Sequence, residues 1–212
     1  MKKFLLFFVA LVLLNLAQAQ VDDPKAKEIL HNLSEKYKSY NTMKFEFTYT
    51  ISNPKNKVNE SKKGSIYIKG NKYRLYIDNQ IIICDGKTVW TYIKDENEVQ
   101  INNLDTNNLN TPTKILTAYK KNYRAKFIKE VAEANKIIQV IDLVPLKTQS
   151  FYKVRVEIDK TNHMLYRSSI YDKNGSIYTY TIDNFKENPK VFDSRFTFNE
   201  KDYPGVIIND MR

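Results

Sequence analysis

Apolar and polar residues alternate along much of the chain, beginning at Met43. One face of the first alternating segment carries large apolar side chains, at Phe45, Phe47, Tyr49 and Ile51. Ten more short segments rich in β-branched and aromatic residues follow, at residues 64–69, 72–77, 80–84, 88–93, 124–131, 136–144, 151–158, 163–171, 176–185 and 192–198. This period-two pattern predicts a sheet of about 11 strands.

Two dipeptides in this pattern indicate tight hairpins. Asp85-Gly86 and Asn174-Gly175 are residue pairs favoured in two-residue type I′ turns, which require a positive φ at both central positions. Strands joined by such turns are antiparallel. We therefore expect a mainly antiparallel sheet.

A helical pattern precedes the first strand. Asp22-Asp23-Pro24 combines a capping aspartate with a proline suited to the first helical position. Apolar residues then recur at helical spacing, at Ala26, Ile29, Leu30, Leu33 and Tyr37. One amphipathic helix is predicted to open the domain.

A second, shorter helix is predicted to interrupt the strands. The polar residues 102–110 lead into Thr111-Pro112, another cap followed by proline. Ile115, Leu116 and Tyr119 share one side of the helix that would follow. Such a helix either packs against the sheet in the ordinary way or forms a movable lid over a cavity.

The first 19 residues have the pattern of a signal peptide. Met1-Lys2-Lys3 is basic, residues 4–16 are almost entirely apolar, and Ala17-Gln18-Ala19 offers small residues for cleavage. No cysteine follows at the position of a lipid-attachment site. We expect cleavage near Ala19 and a soluble periplasmic protein, in which residues 20–212 form a single domain.

Charge and cysteine content narrow the class of protein. The formal net charge is +10, or +8 without Lys2 and Lys3, and the lysines are scattered along the chain. This distribution is typical of a solvated surface, so we expect no nucleic-acid partner. Cys84 is the single cysteine, so no internal disulfide can form. Because three isoleucines precede it, Cys84 is interpreted as a buried, inert residue at a strand end.

Patterns typical of catalysis are missing from the sequence. His31 and His163 lack the neighbouring histidine, cysteine or carboxylate spacing of a metal site. The five glycines form neither a phosphate-binding loop nor a Gly-x-Ser-x-Gly elbow. We therefore expect no enzyme activity, no cofactor and no metal.

Aromatic residues are unusually abundant, with 15 tyrosines and 11 phenylalanines spread along the predicted strands. A curved sheet with such side chains on its inside either packs solidly or leaves a ligand cavity. Composition does not decide between these two outcomes.

Residues 85–92 read DGKTVWTY, and this segment resembles the DGKT[LV]W-x-Y hairpin of the LolA family of periplasmic outer-membrane lipoprotein carriers. Other features occur in a similar order. Phe45 to Tyr49 resembles the family's F-x-x-x-F segment, and residues 111–116 are similar to its short lid helix. Residues 196–198 and 203–208 resemble its closing F-x-F and P-x-G-V-x-[VI] pattern.

The resemblance implies an α+β fold and a carrier function. The expected architecture is a strongly curved antiparallel sheet, an unclosed half-barrel, which is covered by an N-terminal helix and a short lid helix. The implied cargo is the acyl chains of lipoproteins, held in an apolar cavity. The implied partners are an inner-membrane lipoprotein-releasing ABC transporter and an outer-membrane receptor, and the carrier itself is expected to be a monomer.

The cavity wall is expected to include aromatic and aliphatic residues from several strands: Phe45, Phe47, Tyr49, Ile66, Ile68, Tyr73, Leu75, Trp90 and Tyr92. The lid is expected to contribute Ile115, Leu116 and Tyr119. Packing into a solid core is the alternative interpretation for these residues.

The sequence departs from the family where a lid latch is expected. An arginine and a proline precede the family's K-F-R-W strand, and that arginine hydrogen bonds to the lid. In this chain Lys69 and Gly70 occupy those positions, and Leu75 replaces the tryptophan. Lysine keeps the charge but lacks the planar, five-donor guanidinium. Lys69 is therefore one candidate for the latch, and Arg74 is the second.

Three other functions remain open at this stage. The same scaffold could sense mislocalised lipoproteins and regulate a signalling partner. It could also carry another lipid or hydrophobic small molecule. A catalytic domain is the third alternative, although no residue presents itself as its catalytic group.

Overall fold

The described structure consists of one long helix and twelve β-strands. The computed structural model describes residues 23–105 and 122–212. In these ranges helix α1 (Pro24–Lys38) precedes the strands β1 (Met43–Asn53), β2 (Val58–Lys69), β3 (Lys72–Ile77), β4 (Gln80–Cys84), β5 (Thr88–Ile93), β6 (Glu98–Asn103), β7 (Tyr123–Glu133), β8 (Lys136–Pro145), β9 (Phe151–Asp159), β10 (Met164–Asp172), β11 (Ile177–Glu187) and β12 (Ile207–Asp210). Short 3-10 helices lie at Pro54–Asn56, Asp193–Phe196 and Glu200–Asp202.

All twelve strands belong to one sheet, in the order β12-β6-β5-β4-β3-β2-β1-β11-β10-β9-β8-β7. Neighbouring strands are antiparallel, except that β12 runs parallel to β6. No ladder joins the edge strands β12 and β7 among the described residues, so the sheet is not closed. The predicted α+β class, with an unclosed and mainly antiparallel sheet, is confirmed.

β-Bulges interrupt the ladders at several places. The register shifts between Glu46 and Phe47 on β1, between Phe127 and Lys129 on β7, and between Leu165 and Arg167 on β10. An extra residue on one strand bends that strand and increases its local twist. These bulges therefore favour a curved sheet over a flat one.

Helix α1 begins as the sequence predicts. Asp23 caps it, because Asp23 Oδ1 accepts hydrogen bonds from the backbone N–H groups of Lys25 and Ala26 at 2.9 and 3.3 Å. Asp23 Oδ2 accepts from the N–H of Phe127 on β7 at 3.0 Å. The same carboxylate thus starts the helix and fixes its end to an edge strand.

Strand register defines two faces of the sheet. Phe45 is paired with Ile66 on one side and with Phe185 on the other, so these three side chains share a face. We call it the inner face, because α1 packs there: the ring of Tyr37 lies 6.0 Å from that of Phe45. The buried side of α1 consists of Ala26, Ile29, Leu30, Leu33, Ser34 and Tyr37. The main hydrophobic core lies between these residues and the inner face.

Residues 192–206, which we call the C-terminal segment, cover part of the opposite, outer face. Arg74 is paired with Tyr67 and Ile83 on that face. Arg74 Nη1 donates to the backbone oxygen of Arg195 at 3.1 Å, and Arg74 Nη2 donates to the hydroxyl of Tyr203 at 2.9 Å. Ile83, Val99 and Phe196 are fully buried without belonging to the main core. The sheet therefore buries apolar side chains on both faces.

The prediction of a strand at residues 192–198 is wrong. Asp193–Phe196 form a 3-10 helix, in which Arg195 N donates to Phe192 O at 3.1 Å. Phe196 is completely buried, so the aromatic residues that suggested a strand serve instead to attach the C-terminal segment to the sheet.

The prediction of type I′ turns is also wrong, although both predicted hairpins are present. Gly86 and Gly175 have positive φ angles of 98° and 88°, whereas Asp85 and Asn174 do not adopt positive φ. Asp85 Oδ1 instead accepts from the N–H of Lys87 at 2.8 Å, which forms a longer loop around the aspartate side chain.

The alternation of apolar and polar residues missed three stretches of strand: β6, β12 and the first half of β2. Their sequences are EVQINN, IIND and VNESKK, which are short or rich in polar residues. Pairing with neighbouring strands stabilises them despite this composition. No helix in the described ranges has both the length and the apolar character that crossing a bilayer requires.

Candidate functional site

The inner face of strands β1 to β5 is mainly apolar, although Lys62, Gln80 and Thr91 also lie on it. Paired residues place Phe45 beside Ile66, Ile66 beside Leu75, and Leu75 beside Ile82. Two further rows of paired residues lie on either side of this row. We call this surface the inner wall, and it consists of Phe45, Phe47, Tyr49, Ile66, Ile68, Tyr73, Leu75, Ile77, Ile82, Val89 and Ile93.

Burial of the inner face differs between the two halves of the sheet. Inner-face residues of β8 and β9, such as Ile141, Leu143 and Val154, are fully buried in the core with α1. On the inner wall, Leu75, Ile82 and Ile93 are only half-buried. Apolar surface that stays partly accessible is costly in water, so this half of the face is suited to an apolar ligand.

Aromatic rings line the seam between β1 and β11. Phe45 and Phe185 have ring centroids 4.9 Å apart, and Tyr49 and Tyr180 have centroids 4.7 Å apart. Tilted aromatic pairs at such distances contribute stability beyond their buried area. Phe45, at this seam, belongs to the inner wall and also contacts Tyr37 of α1.

Burial changes the acidity of the tyrosines at this site. Burial raises the pKa of Tyr73 and the pKa of Tyr180 to about 12, and it raises the pKa of Tyr49 in the same direction. Loss of solvation disfavours a phenolate in an apolar environment. The raised pKa values show that these hydroxyls are withdrawn from water beside the apolar surface.

Seven of the nine predicted wall residues lie together on the inner face. Phe45, Phe47, Ile66 and Ile68 are buried in the main core, whereas Tyr49, Tyr73 and Leu75 are partly buried beside it. The structure does not bring Trp90 and Tyr92 to them. Thr91 is paired with Ile82 on the inner face, so its two neighbours point to the outer face. There the ring of Tyr92 lies 4.4 Å from that of Tyr203.

Sequence reasoning missed Ile77, Ile82, Val89 and Ile93, which complete the inner wall. On β4 and β5, apolar residues occupy both faces, so alternation alone does not show which set is inner. Pairing each strand with the next across its hairpin, starting from Phe45, would have assigned these residues to the inner face.

The predicted latch residues contact the C-terminal segment. Lys69 Nζ lies 2.6 Å from an oxygen of Asp193, which Lys72 also approaches at 3.1 Å. Arg74 binds Arg195 and Tyr203, as described above. Both candidates therefore hold the C-terminal segment against the sheet. The predicted lid residues Ile115, Leu116 and Tyr119 lie outside the described residues.

In the described ranges, no group of three or more histidine, cysteine or acidic side chains is arranged to hold a metal ion. His31 is exposed on the polar side of α1, 3.9 Å from Glu35. Cys84 is fully buried and accepts a hydrogen bond from Gly86 N at 3.3 Å.

A pocket of about 510 Å³ opens around the backbone of Gly64. Its lining includes polar side chains of the outer face, among them Glu46, Thr48 and Ser65. Phe47 and Ile77, which belong to the inner wall, also contribute to its lining, so the pocket adjoins the inner wall at β1 and β3.

Comparison with known protein families gives a match over most of the chain. The model of the family described as "Outer membrane lipoprotein carrier protein LolA" matches residues 38–199, well over half of the chain. Two relatives are both named outer-membrane lipoprotein carrier protein. The relative from Haemophilus influenzae is 28% identical over 220 residues, covering 100% of this chain and 99% of its own. The relative from Legionella pneumophila is 23% identical over 193 residues, and the match covers 89% of this chain and 93% of the relative.

Solved structures show a similar fold. An uncharacterized conserved protein from Thermus thermophilus matches with a TM-score of 0.57 and 14% identity, covering 88% of this chain and 99% of its own. A DUF1329 family protein from Desulfovibrio piger matches with a TM-score of 0.50 and 12% identity, and the match covers 84% of this chain and 98% of that protein. At such low identity these structures support the fold alone.

Proposed function

The chain belongs to the LolA family of outer membrane lipoprotein carrier proteins, and on this premise we propose that it binds the acyl chains of lipoproteins on its inner wall. The family is one of carriers, not of enzymes. The carrier would collect lipoproteins at the inner membrane and deliver them to the outer membrane, in the periplasm. A signal peptide at residues 1–19 and one domain at residues 20–212 are parts of the same proposal.

The physical need for such a carrier follows from the hydrophobic effect. Each buried CH₂ group contributes about 0.8 kcal/mol, so an acyl chain of about 16 carbons exposed to water is unfavourable by roughly 10 kcal/mol. Free diffusion of a lipoprotein between two membranes is excluded by this cost. A carrier must recover much of it, but it must bind less tightly than the receiving membrane does, or the cargo would not be released.

The observation that carries the proposal is the contrast in burial across one face. Most paired residues on the inner face from β1 to β5 are apolar, and among them Leu75, Ile82 and Ile93 remain half-buried. A domain that only needed a solid core would bury these side chains as completely as it buries Ile141 and Val156. Binding of hydrocarbon against Leu75, Ile82 and Ile93 would complete their burial.

The proposed partners are those that membership of this family implies. Acylated lipoproteins are the cargo, an inner-membrane lipoprotein-releasing ABC transporter loads them, and an outer-membrane receptor accepts them. Modest affinity for the cargo is part of this function, because the carrier must release the lipoprotein to the receptor.

Native mass spectrometry of protein purified gently from periplasm tests the proposal. Bound acylated lipoprotein is the expected result, and depletion of the protein should cause outer-membrane lipoproteins to accumulate at the inner membrane. A bound small hydrophobic molecule with no effect of depletion on lipoprotein localisation would contradict lipoprotein transport and favour a specialised carrier.

A further inference from the structure

The inner face becomes polar toward one edge of the sheet. Along the row that starts at Phe45, the side chains change from Leu75 and Ile82 on β3 and β4 to Thr91, Gln100 and Asn209 on β5, β6 and β12. This sequence of pairs runs continuously from hydrocarbon to amide and hydroxyl groups. The apolar inner wall therefore has a polar border on one side.

Strand β6 shows this change most clearly. Its three inner-face residues, Glu98, Gln100 and Asn102, are all polar and half-buried. Its outer-face residues include Val99, which is completely buried on the face that the C-terminal segment covers. The strand thus directs its polar side chains toward the ligand side and its apolar side chains away from it, the reverse of β1 and β2.

Among the described strands of this border, Glu98 carries the one inner-face carboxylate. Glu98 is paired with Ile93 of the inner wall and with Ile207 on β12. Its Oε1 atom accepts a hydrogen bond from Gln100 Nε2 at 3.1 Å. A negative charge is therefore fixed directly beside the apolar surface.

An apolar wall alone does not distinguish a lipoprotein from a membrane phospholipid with the same acyl chains, because the burial free energy of the hydrocarbon is the same. Selection between them must involve the polar group attached to the chains. In a lipoprotein this group is an uncharged glyceryl thioether and peptide, whereas phosphatidylglycerol carries a phosphate.

We propose that the inner face of β6 binds the polar junction between acyl chains and peptide, and that Glu98 selects against anionic phospholipids. The inference rests on the proposed function, since it assumes that acyl chains lie on the inner wall. Gln100 and Asn102 supply amide donors and acceptors that match peptide groups. Glu98 repels a phosphate but tolerates an uncharged peptide.

Competition binding to the mature protein tests this selection. The probes are a triacylated cysteine tetrapeptide amide without charged side chains and phosphatidylglycerol with the same acyl chains. Wild type should prefer the lipopeptide, and Glu98→Lys should shift the ratio of dissociation constants by about tenfold toward phosphatidylglycerol. Glu98→Gln should shift the ratio in the same direction by a smaller factor, and it retains the shape of the side chain.

Glu96→Lys is the matched control, because Glu96 is exposed in the turn between β5 and β6 and the charge change is identical. This control should keep the wild-type ratio. If Glu98→Lys and Glu98→Gln both leave the ratio unchanged while wild type binds the probes, the role of β6 is wrong and the carrier function stands. If wild type binds neither probe, both the carrier function and this inference are wrong.

Discussion

The ring of Phe47 lies directly over Gly64, its partner on β2. A side chain at Gly64 would place its Cβ atom 2.5 Å from Cζ of that ring and 2.8 Å from the backbone oxygen of Tyr76. Phe47 is buried and belongs to the inner wall. The missing side chain at Gly64 therefore provides the space that the Phe47 ring occupies.

Gly64→Ala should consequently destabilise the protein. Overpacking of a well-packed site costs about 1–3 kcal/mol, because the ring or the strand must move. Urea unfolding of the purified protein measures the change in free energy. Ser65→Ala, on the same strand but facing outward, is the control and should change stability little. If Gly64→Ala and wild type have the same free energy of unfolding, the ring of Phe47 does not exclude a side chain at position 64.

Arg74→Ala should release the C-terminal segment. The substitution removes hydrogen bonds to Arg195 O and to the Tyr203 hydroxyl, at a cost of about 1–2 kcal/mol. Hydrogen exchange should become faster in residues 192–206. Arg124→Ala, at an exposed position on β7, is the control and should leave exchange in that segment unchanged.

Acyl-chain binding by Arg74→Ala should remain close to that of wild type, because Arg74 lies on the opposite face from the inner wall. A large loss of binding, with the C-terminal segment still protected from exchange, would instead support the lid latch that the sequence suggested for Arg74.

Alkaline pH should weaken the fold through the buried tyrosines. Their hydroxyls ionise near pH 10 in an unfolded chain, whereas burial raises the pKa of Tyr73 and of Tyr180 to about 12. The unfolded state therefore loses these protons first. The two neutral tyrosines therefore make their full contribution to the free energy of unfolding below about pH 10. This contribution is lost as the pH rises through about 12. Urea unfolding across this range should show the decline, and Tyr73→Phe with Tyr180→Phe should make it smaller. An unchanged decline in the double variant would contradict the assignment.

Two adjacent isoleucines test which face binds ligand. Ile82 is paired with Leu75 on the inner face, and Ile81 is paired with Tyr76 on the outer face, and both are half-buried. Ile82→Asp should weaken acyl-chain binding about tenfold or more, because hydrocarbon would contact a carboxylate. Ile81→Asp should cost stability without this loss of affinity. Fluorescent lipid binding and thermal unfolding of both variants separate the two effects, and equal losses of affinity would argue against a one-sided site.

Local sequence signals predicted the elements that local interactions stabilise. Asp23 followed by Pro24 predicted the start of α1, because capping depends on neighbouring residues alone. The alternation around Phe45 predicted β1 and its buried face, since β1 has an apolar side and a polar side. Most other strands were located for the same reason.

Features that depend on distant contacts were not predictable in this way. Trp90 and Tyr92 look like wall residues because they are large and aromatic, but β5 is apolar on both faces and the C-terminal segment covers one of them. The partners of Arg74 lie more than a hundred residues further along the chain. No spacing in the sequence indicates that residues 192–206 return to the outer face.

The most direct measurement of the central claim is photocrosslinking of a lipoprotein whose acyl chains carry a diazirine, followed by mass spectrometry of the modified peptides. If the inner wall binds the acyl chains, adducts should form on inner-face residues such as Tyr73, Leu75 and Ile82. Adducts confined to outer-face residues such as Trp90 and Tyr92, or no crosslinking to this protein at all, would contradict the account.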